Sequence, residues 1–159
     1  MTKALQRMSD LNAYNAKAQD KEFVTMRVAG QLFGISVMEV QDVLRGLKVA
    51  HVPLAPQEIV GSLNLRGRIV TAIDMRICLG LAQGDPVPKH MIMSVVVEHK
   101  NECFSLIVDS VGEVVSLPFD QLEKNPANLS GRWKEVASGI YKLQDDLLII
   151  LDIQKLLKF

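Results

Sequence analysis

The chain has 159 residues, 48% of them hydrophobic and 23% charged, which is one domain's worth of ordinary globular sequence. Eighteen Lys and Arg offset eighteen Asp and Glu, so the basic excess of a protein that tracks phosphate backbones is missing, which argues against nucleic acid as a partner. Five Phe, two Tyr and one Trp leave the core to Val, Ile, Leu and Met, a mix that favours strands over base-stacking surfaces.

The longest unbroken apolar run, Leu147 to Leu151, is far short of the roughly 20 residues a membrane span needs. MTKALQRMSD at the N-terminus lacks the apolar centre of a signal peptide. Cys78 and Cys103 have no CxxC neighbour, so neither a disulfide framework nor a zinc site is expected. They read as two small buried hydrophobes in a reducing compartment. These features predict a soluble, cytoplasmic, mostly β protein.

In chain order, residues 1–20 are polar and lack a strand pattern, and are expected to form a mobile tail. Alternation begins at Glu22 and turns at Ala29-Gly30-Gln31 into Leu32–Ile35, a hairpin. Pro53 and Pro56 bracket a loop, and Gln57–Val60 are expected to make one helical turn. A second hairpin runs from Ser62 to Ile73 around a tight Arg66-Gly67-Arg68 turn. Asp74 stands where a helix N-cap belongs, ahead of Met75–Leu79, with Gly80 as the stop. Residues 82–90 form a Pro/Gly-rich connector.

The second part repeats the style. Met91–Glu98 and Cys103–Val108 are strands, Val111–Leu117 is another, and Pro118 opens a short helix through Leu122. Residues 124–135 read as a polar loop carrying Trp133. Ala137–Leu143 and Leu147–Leu151 make a last hairpin, and Asp152 caps a terminal helix over 153–157. FGISVMEVQDVL (33–44) and FSLIVDSVGEVV (104–115) match at an offset of 71. Gly61/Gly139, Leu65/Leu143 and Asp74/Asp152 match at an offset of 78. The match indicates an internal duplication, with about five short strands per half and two small antiparallel barrels packed together.

Catalytic motifs are missing: there is no Walker loop, GxGxxG, GxSxG or HExxH. His51, His90 and His99 fall in or near loops and are separated in sequence. A Cys103–His99 nucleophile and base would flank one tight turn without a third orienting group. Asp74, Asp109 and Asp152 each end an apolar strand, but helix capping explains Asp74 and Asp152 without any acid/base role. No catalytic residue, metal or cofactor is expected. The segment that packing does not explain is Gly61–Arg68. Its turn needs Gly67, and in part Asn64, for backbone reasons, but not Arg66. A guanidinium on a rigid hairpin tip is able to make a forked pair with a carboxylate, and Asp42 is a candidate partner; the alternative is a solvated surface arginine.

Four segments, EFVTMRVAGQLFGISVMEVQDVLR, VPLAPQEIVGSLNLRGRIVTAIDMR, FSLIVDSVGEVVSLP and ASGIYKLQDDLLIILDIQKLL, resemble in order and spacing the CheW family of bacterial chemotaxis coupling proteins. The resemblance covers about residues 21–158. Its most specific part is GSLNLRGRIVTAIDMR, close to the family's G-x-x-N-L-R-G-x-[IV]-x-P-[VI]-[IV]-D-[LM]-R, and the VxxVQ-acid-V element at 37–43 is second. Thr71-Ala72 stands where many members have a proline-containing pair, and the Trp133 loop has no counterpart in the motifs.

The resemblance implies a mostly β fold of two five-stranded SH3-like antiparallel barrels packed around a shared hydrophobic core, with a few short helices. Residues 21–159 would form one CheW-like domain, with about 21–81 in a first-barrel half and 91–159 in a second, strand exchange being open. The implied function is a non-enzymatic adaptor joining the cytoplasmic tips of transmembrane chemoreceptors (methyl-accepting chemotaxis proteins) to the histidine kinase CheA, through the kinase's own CheW-like regulatory domain. No membrane insertion is implied, and the location is cytoplasmic, at membrane-associated receptor arrays. By resemblance Val40, Asp42 and Arg66 line the receptor-facing groove, with Val114 on its second-barrel side and Asn64 and Gly67 holding the motif turn. With no room for a fused kinase or receiver, a free-standing coupler is expected. The alternative is the same kind of coupler in a non-flagellar chemosensory pathway for pilus motility or gene regulation. A small hydrolase on a β scaffold would need a constellation that is not visible.

Overall fold

Period-2 alternation of Val, Ile and Leu with polar residues builds the strands, and a computed structural model describes residues 20–46, 53–81, 92–124 and 131–157. Its strands are β1 (Asp20–Val28), β2 (Gln31–Ser36), β3 (Val40–Arg45), β4 (Ile59–Leu65) and β5 (Arg68–Asp74), then β6 (Met93–His99), β7 (Glu102–Val108), β8 (Ser110–Pro118), β9 (Ala137–Lys142) and β10 (Leu147–Leu151). Short helices follow as α1 (Met75–Cys78), α2 (Gly131–Val136) and α3 (Ile153–Leu156), with 3₁₀ turns at Val37–Glu39 and Phe119–Gln121. The expected tail, apart from Asp20, and the whole 82–90 connector lie outside the described residues.

Two five-stranded sheets result, ordered β8-β1-β2-β10-β9 and β3-β6-β7-β5-β4. Exchanging each strand for the one five places along the chain converts one order into the other. The faint sequence repeat is therefore a repeat of topology. Each sheet takes strands from both sides of the connector, and β2–β10 and β5–β7 are parallel pairings where the two sides meet. Neither side of the connector makes a sheet by itself.

Apolar residues on the facing sides of the sheets form one shared core that includes Val24, Met26, Phe33, Ile35, Ile73, Val95, Val97, Leu106, Ile149 and Leu151. Each sheet also has a core on its other face. In the first it is Phe23, Tyr141, Leu148 and Ile150, with the Phe23 and Tyr141 rings 5.7 Å apart. In the second it is Val70, Val96 and Cys103. Cys78 joins the shared core, and neither cysteine is in a disulfide.

Two local expectations are corrected. Gln57–Val60 is not a helical turn: β4 begins at Ile59, which pairs with Ile73 across the ladder, and tertiary pairing overrides weak local helix preference. The 124–135 stretch is not wholly a loop either, because Gly131–Val136 is helical. Trp133 supplies the reason. Its ring meets Phe33 edge-on at 5.7 Å and its Nε1 donates to Leu79 O at 3.0 Å, so a half-buried aromatic with a satisfied N–H anchors that turn.

A candidate partner-binding site

Arg66 and Gly67 form the two-residue turn between β4 and β5, with φ of +53° and +83°. Glycine at the second position adopts that left-handed geometry without steric cost. Asn64 Oδ1 accepts from Gly67 N at 2.9 Å, which ties the tip to its own strand. From this tip Arg66 Nη2 reaches Asp42 Oδ2 on β3 at 3.1 Å. The contact is single rather than forked, because Asp42 Oδ1 is turned back to accept from Val43 N at 2.8 Å. It links the β4–β5 turn to β3, and β3 and β4 are the two outer strands of the second sheet. With the Arg66 side chain 81% exposed, such a pair contributes only about 0–1 kcal/mol.

Cross-strand partners share a face, and this rule locates the valines. Val40 and Val43 pair with Val97 and Val95, and Val114 pairs with Val24. All three partners belong to the shared core. Val40, Val43 and Val114 therefore lie on the core-facing sides of β3 and β8, the outermost strands of their sheets. Val43 is 39% and Val114 56% exposed, so the shared core runs out into solvent along these edges. The two edges are neighbours: Arg45 of β3 pairs with Met93, whose Sδ accepts from Val111 N of β8 at 3.4 Å. Asp42 pairs with Val96, a member of the second sheet's own core. The ion pair and the valine rim thus occupy opposite faces of β3. Val43 and the exposed Ile69 were not singled out from the sequence, because strand alternation does not mark an apolar residue at a sheet edge.

The three carboxylates ending apolar strands have structural employment. Asp74 accepts from Arg76 N, and Asp152 from Gln154 N and Lys155 N, both as helix N-caps. Asp109 receives a forked guanidinium: Arg76 Nε donates to its Oδ1 at 2.9 Å and Nη2 to its Oδ2 at 2.7 Å. This pair is not legible in the sequence, because nothing local links residues 33 positions apart. Cys103 is buried among aliphatic side chains, which removes it as a nucleophile. A pocket of about 280 Å³ is lined by Lys21, Phe23, Glu39, Asp152 and Gln154 among others. Burial, and then the charge of Asp152, raises the Glu39 carboxyl above its ordinary value of 4.5, while Lys21 opposes the shift. Among the described residues no group of three or more His, Cys, Asp or Glu is placed to hold a metal ion.

Known proteins share this architecture. The probable chemotaxis protein CheW of Rhizobium etli is 24% identical over 137 residues, spanning 86% of this chain and 87% of that protein. The chemotaxis protein CheW of Klebsiella aerogenes is 29% identical over 137 residues, spanning 86% and 81%. The crystal structure of the scaffolding protein TtCheW from Thermoanaerobacter tengcongensis superposes with a TM-score of 0.79 at 27% identity, covering 88% of this chain and 94% of that one. The signature of the CheW-like domain matches residues 22–159, which takes in every strand after the first two residues of β1. By motif, topology and superposition, the chain belongs to the CheW-like domain family, a family of non-enzymatic scaffolds.

Proposed function

We propose that this chain is a chemotaxis adaptor that couples the cytoplasmic tips of transmembrane chemoreceptors to the histidine kinase CheA. It works in the cytoplasm, at membrane-associated receptor arrays. The kinase is engaged through its own CheW-like regulatory domain, in a barrel-to-barrel contact of about 1,000–1,600 Å² with micromolar affinity. The receptor contacts Val40, Asp42 and Arg66 on the second sheet and Val114 on the first, while Asn64 and Gly67 hold the Arg66 turn.

One observation carries this assignment to residues. Arg66 is held on a stiffened turn and directed by Asp42, yet its exposure leaves it little to contribute to folding. A preorganised, solvent-facing guanidinium suits a carboxylate on a partner. The valine rim on the other face of the same edge strand offers the apolar surface that such a contact needs.

The test is Arg66→Ala in reconstituted receptor–kinase mixtures. Truncating a charge that becomes desolvated at an interface costs about 2–5 kcal/mol. The variant is expected to keep its melting temperature and its affinity for the kinase domain, and to fail to activate the kinase with receptors. A variant that folds and couples like the wild type removes Arg66 from the interface.

A further inference from the structure

The chain crosses between its sheets twice near the rim, and the two crossings are repeats of each other with different chemistry. Asp109 is the residue between β7 of the second sheet and β8 of the first. Its N donates to Arg27 O at 3.0 Å, and its Oδ2 accepts from Ala29 N at 2.8 Å in the β1–β2 turn. The same carboxylate takes both arms of Arg76, which sits on α1 at the end of β5. One carboxylate thus fastens the crossing to a turn of the first sheet and to a helix that continues the second. The other crossing, Val37–Glu39 between β2 and β3, is built differently. At the repeat offsets of the sequence, Asp109 corresponds to Met38 and Arg76 to Gln154. Met38 is 89% exposed, and a thioether forms no ion pair.

We infer that Asp109 and Arg76 are positioning residues that hold β8, and with it Val114, in a fixed place relative to the second sheet, whose edge strand β3 is already laddered to β6. The consequence for receptor binding rests on the function proposed above; the positioning of β8 does not. A forked, half-buried pair resists displacement because both hydrogen bonds need the planar guanidinium in one orientation. A partner that spans the rim then meets Val114 and the β3 valines at a fixed spacing, which lowers the cost of ordering the contact.

The experiment is a spin-label distance measurement in the full chain. Cys78 and Cys103 are buried, so labels attach to cysteines introduced at Val114, Val43 and Ile69, the last as reference on the second sheet. In the parent chain the 114–69 distribution is expected to be narrow, and so is the 43–69 distribution, because β3 and β5 belong to one hydrogen-bonded sheet. Arg76→Met should broaden the 114–69 distribution and leave 43–69 unchanged, and Arg76→Lys should recover part of the narrow population. The double change Arg76→Met with Asp109→Leu replaces the pair by apolar groups, which tends to be tolerated where a lone buried charge is not. It should fold, show the same broadening, and bind a receptor-tip fragment about tenfold more weakly. An unchanged 114–69 width in either folded variant overturns the inference, as does failure of the double variant to fold, which would mark the pair as purely structural. If Arg66→Ala proves silent while the distances broaden as expected, the positioning role stands and the receptor assignment falls.

Discussion

Of the three arginine–aspartate pairs among the described residues, two contrast most and divide the labour of the molecule. Arg76–Asp109 makes two hydrogen bonds with side chains only 17% and 23% exposed. Arg66–Asp42 makes one, with the arginine at 81%. Forked geometry in low-dielectric surroundings turns charge into structure, because neither partner can be removed without stranding the other. A single contact in water contributes almost nothing to folding and leaves the guanidinium available to a partner. The difference shows that burial and geometry, rather than residue type, decide whether such a pair supports the fold or presents a surface.

The comparison breaks most sharply at Arg76. Arg76→Ala is expected to cost about 2–4 kcal/mol in urea unfolding, since it leaves Asp109 half-buried without its counter-ion. A loss below half a kcal/mol would place both pairs in one class. Next comes the cap that holds the Arg76 helix. Asp74→Ala should cost about 1–2 kcal/mol and Asp152→Ala about 1 kcal/mol, because only the first also loosens the forked pair. Equal losses would show that α1 is held by packing alone. Arg66→Ala should change stability by less than about 1 kcal/mol, with even that difference fading as salt rises. A larger, salt-insensitive loss would make Arg66 structural.

The smallest expected effect lies at Glu39, within the β2–β3 crossing. Its carboxyl is raised by burial and by Asp152, so the folded chain binds this proton more tightly than the unfolded one. Stability contributed by this group therefore falls as pH rises through the window above 4.5, and the charged form is the unfavourable one at neutral pH. Glu39→Gln should stabilise slightly at pH 7, with the advantage vanishing at acid pH, as pH-dependent thermal melts would show. A Gln variant that is less stable at pH 7 would mean that Lys21 outweighs burial.

Much of this was legible in the sequence for local reasons. The Ala29-Gly30 and Arg66-Gly67 turns, the strands around them and the Asp74 and Asp152 caps follow from alternation, left-handed backbone preference and capping chemistry. The duplication was visible because Gly, Leu and Asp keep step at fixed offsets. Ile59 and Trp133 were misplaced because their roles depend on Ile73, Phe33 and Leu79, each at least 14 positions away. Within the candidate site, Asp42 and Arg66 were paired in advance but as a fork; the backbone N–H of Val43, which occupies the second carboxylate oxygen, decides otherwise.

The sequence by itself determined the strands, the turns, the caps, the repeat and the family to which the chain belongs, because each is written in spacing along the backbone. Only the tertiary structure decided that each sheet draws strands from both sides of the connector, that Asp109 meets Arg76, and that the valines and the ion pair occupy opposite faces of β3. Those outcomes depend on which strands pair and in what register. A one-residue slip would turn every side chain of a strand to the other face, and nothing in local spacing selects among distant partners until the shared core is closed.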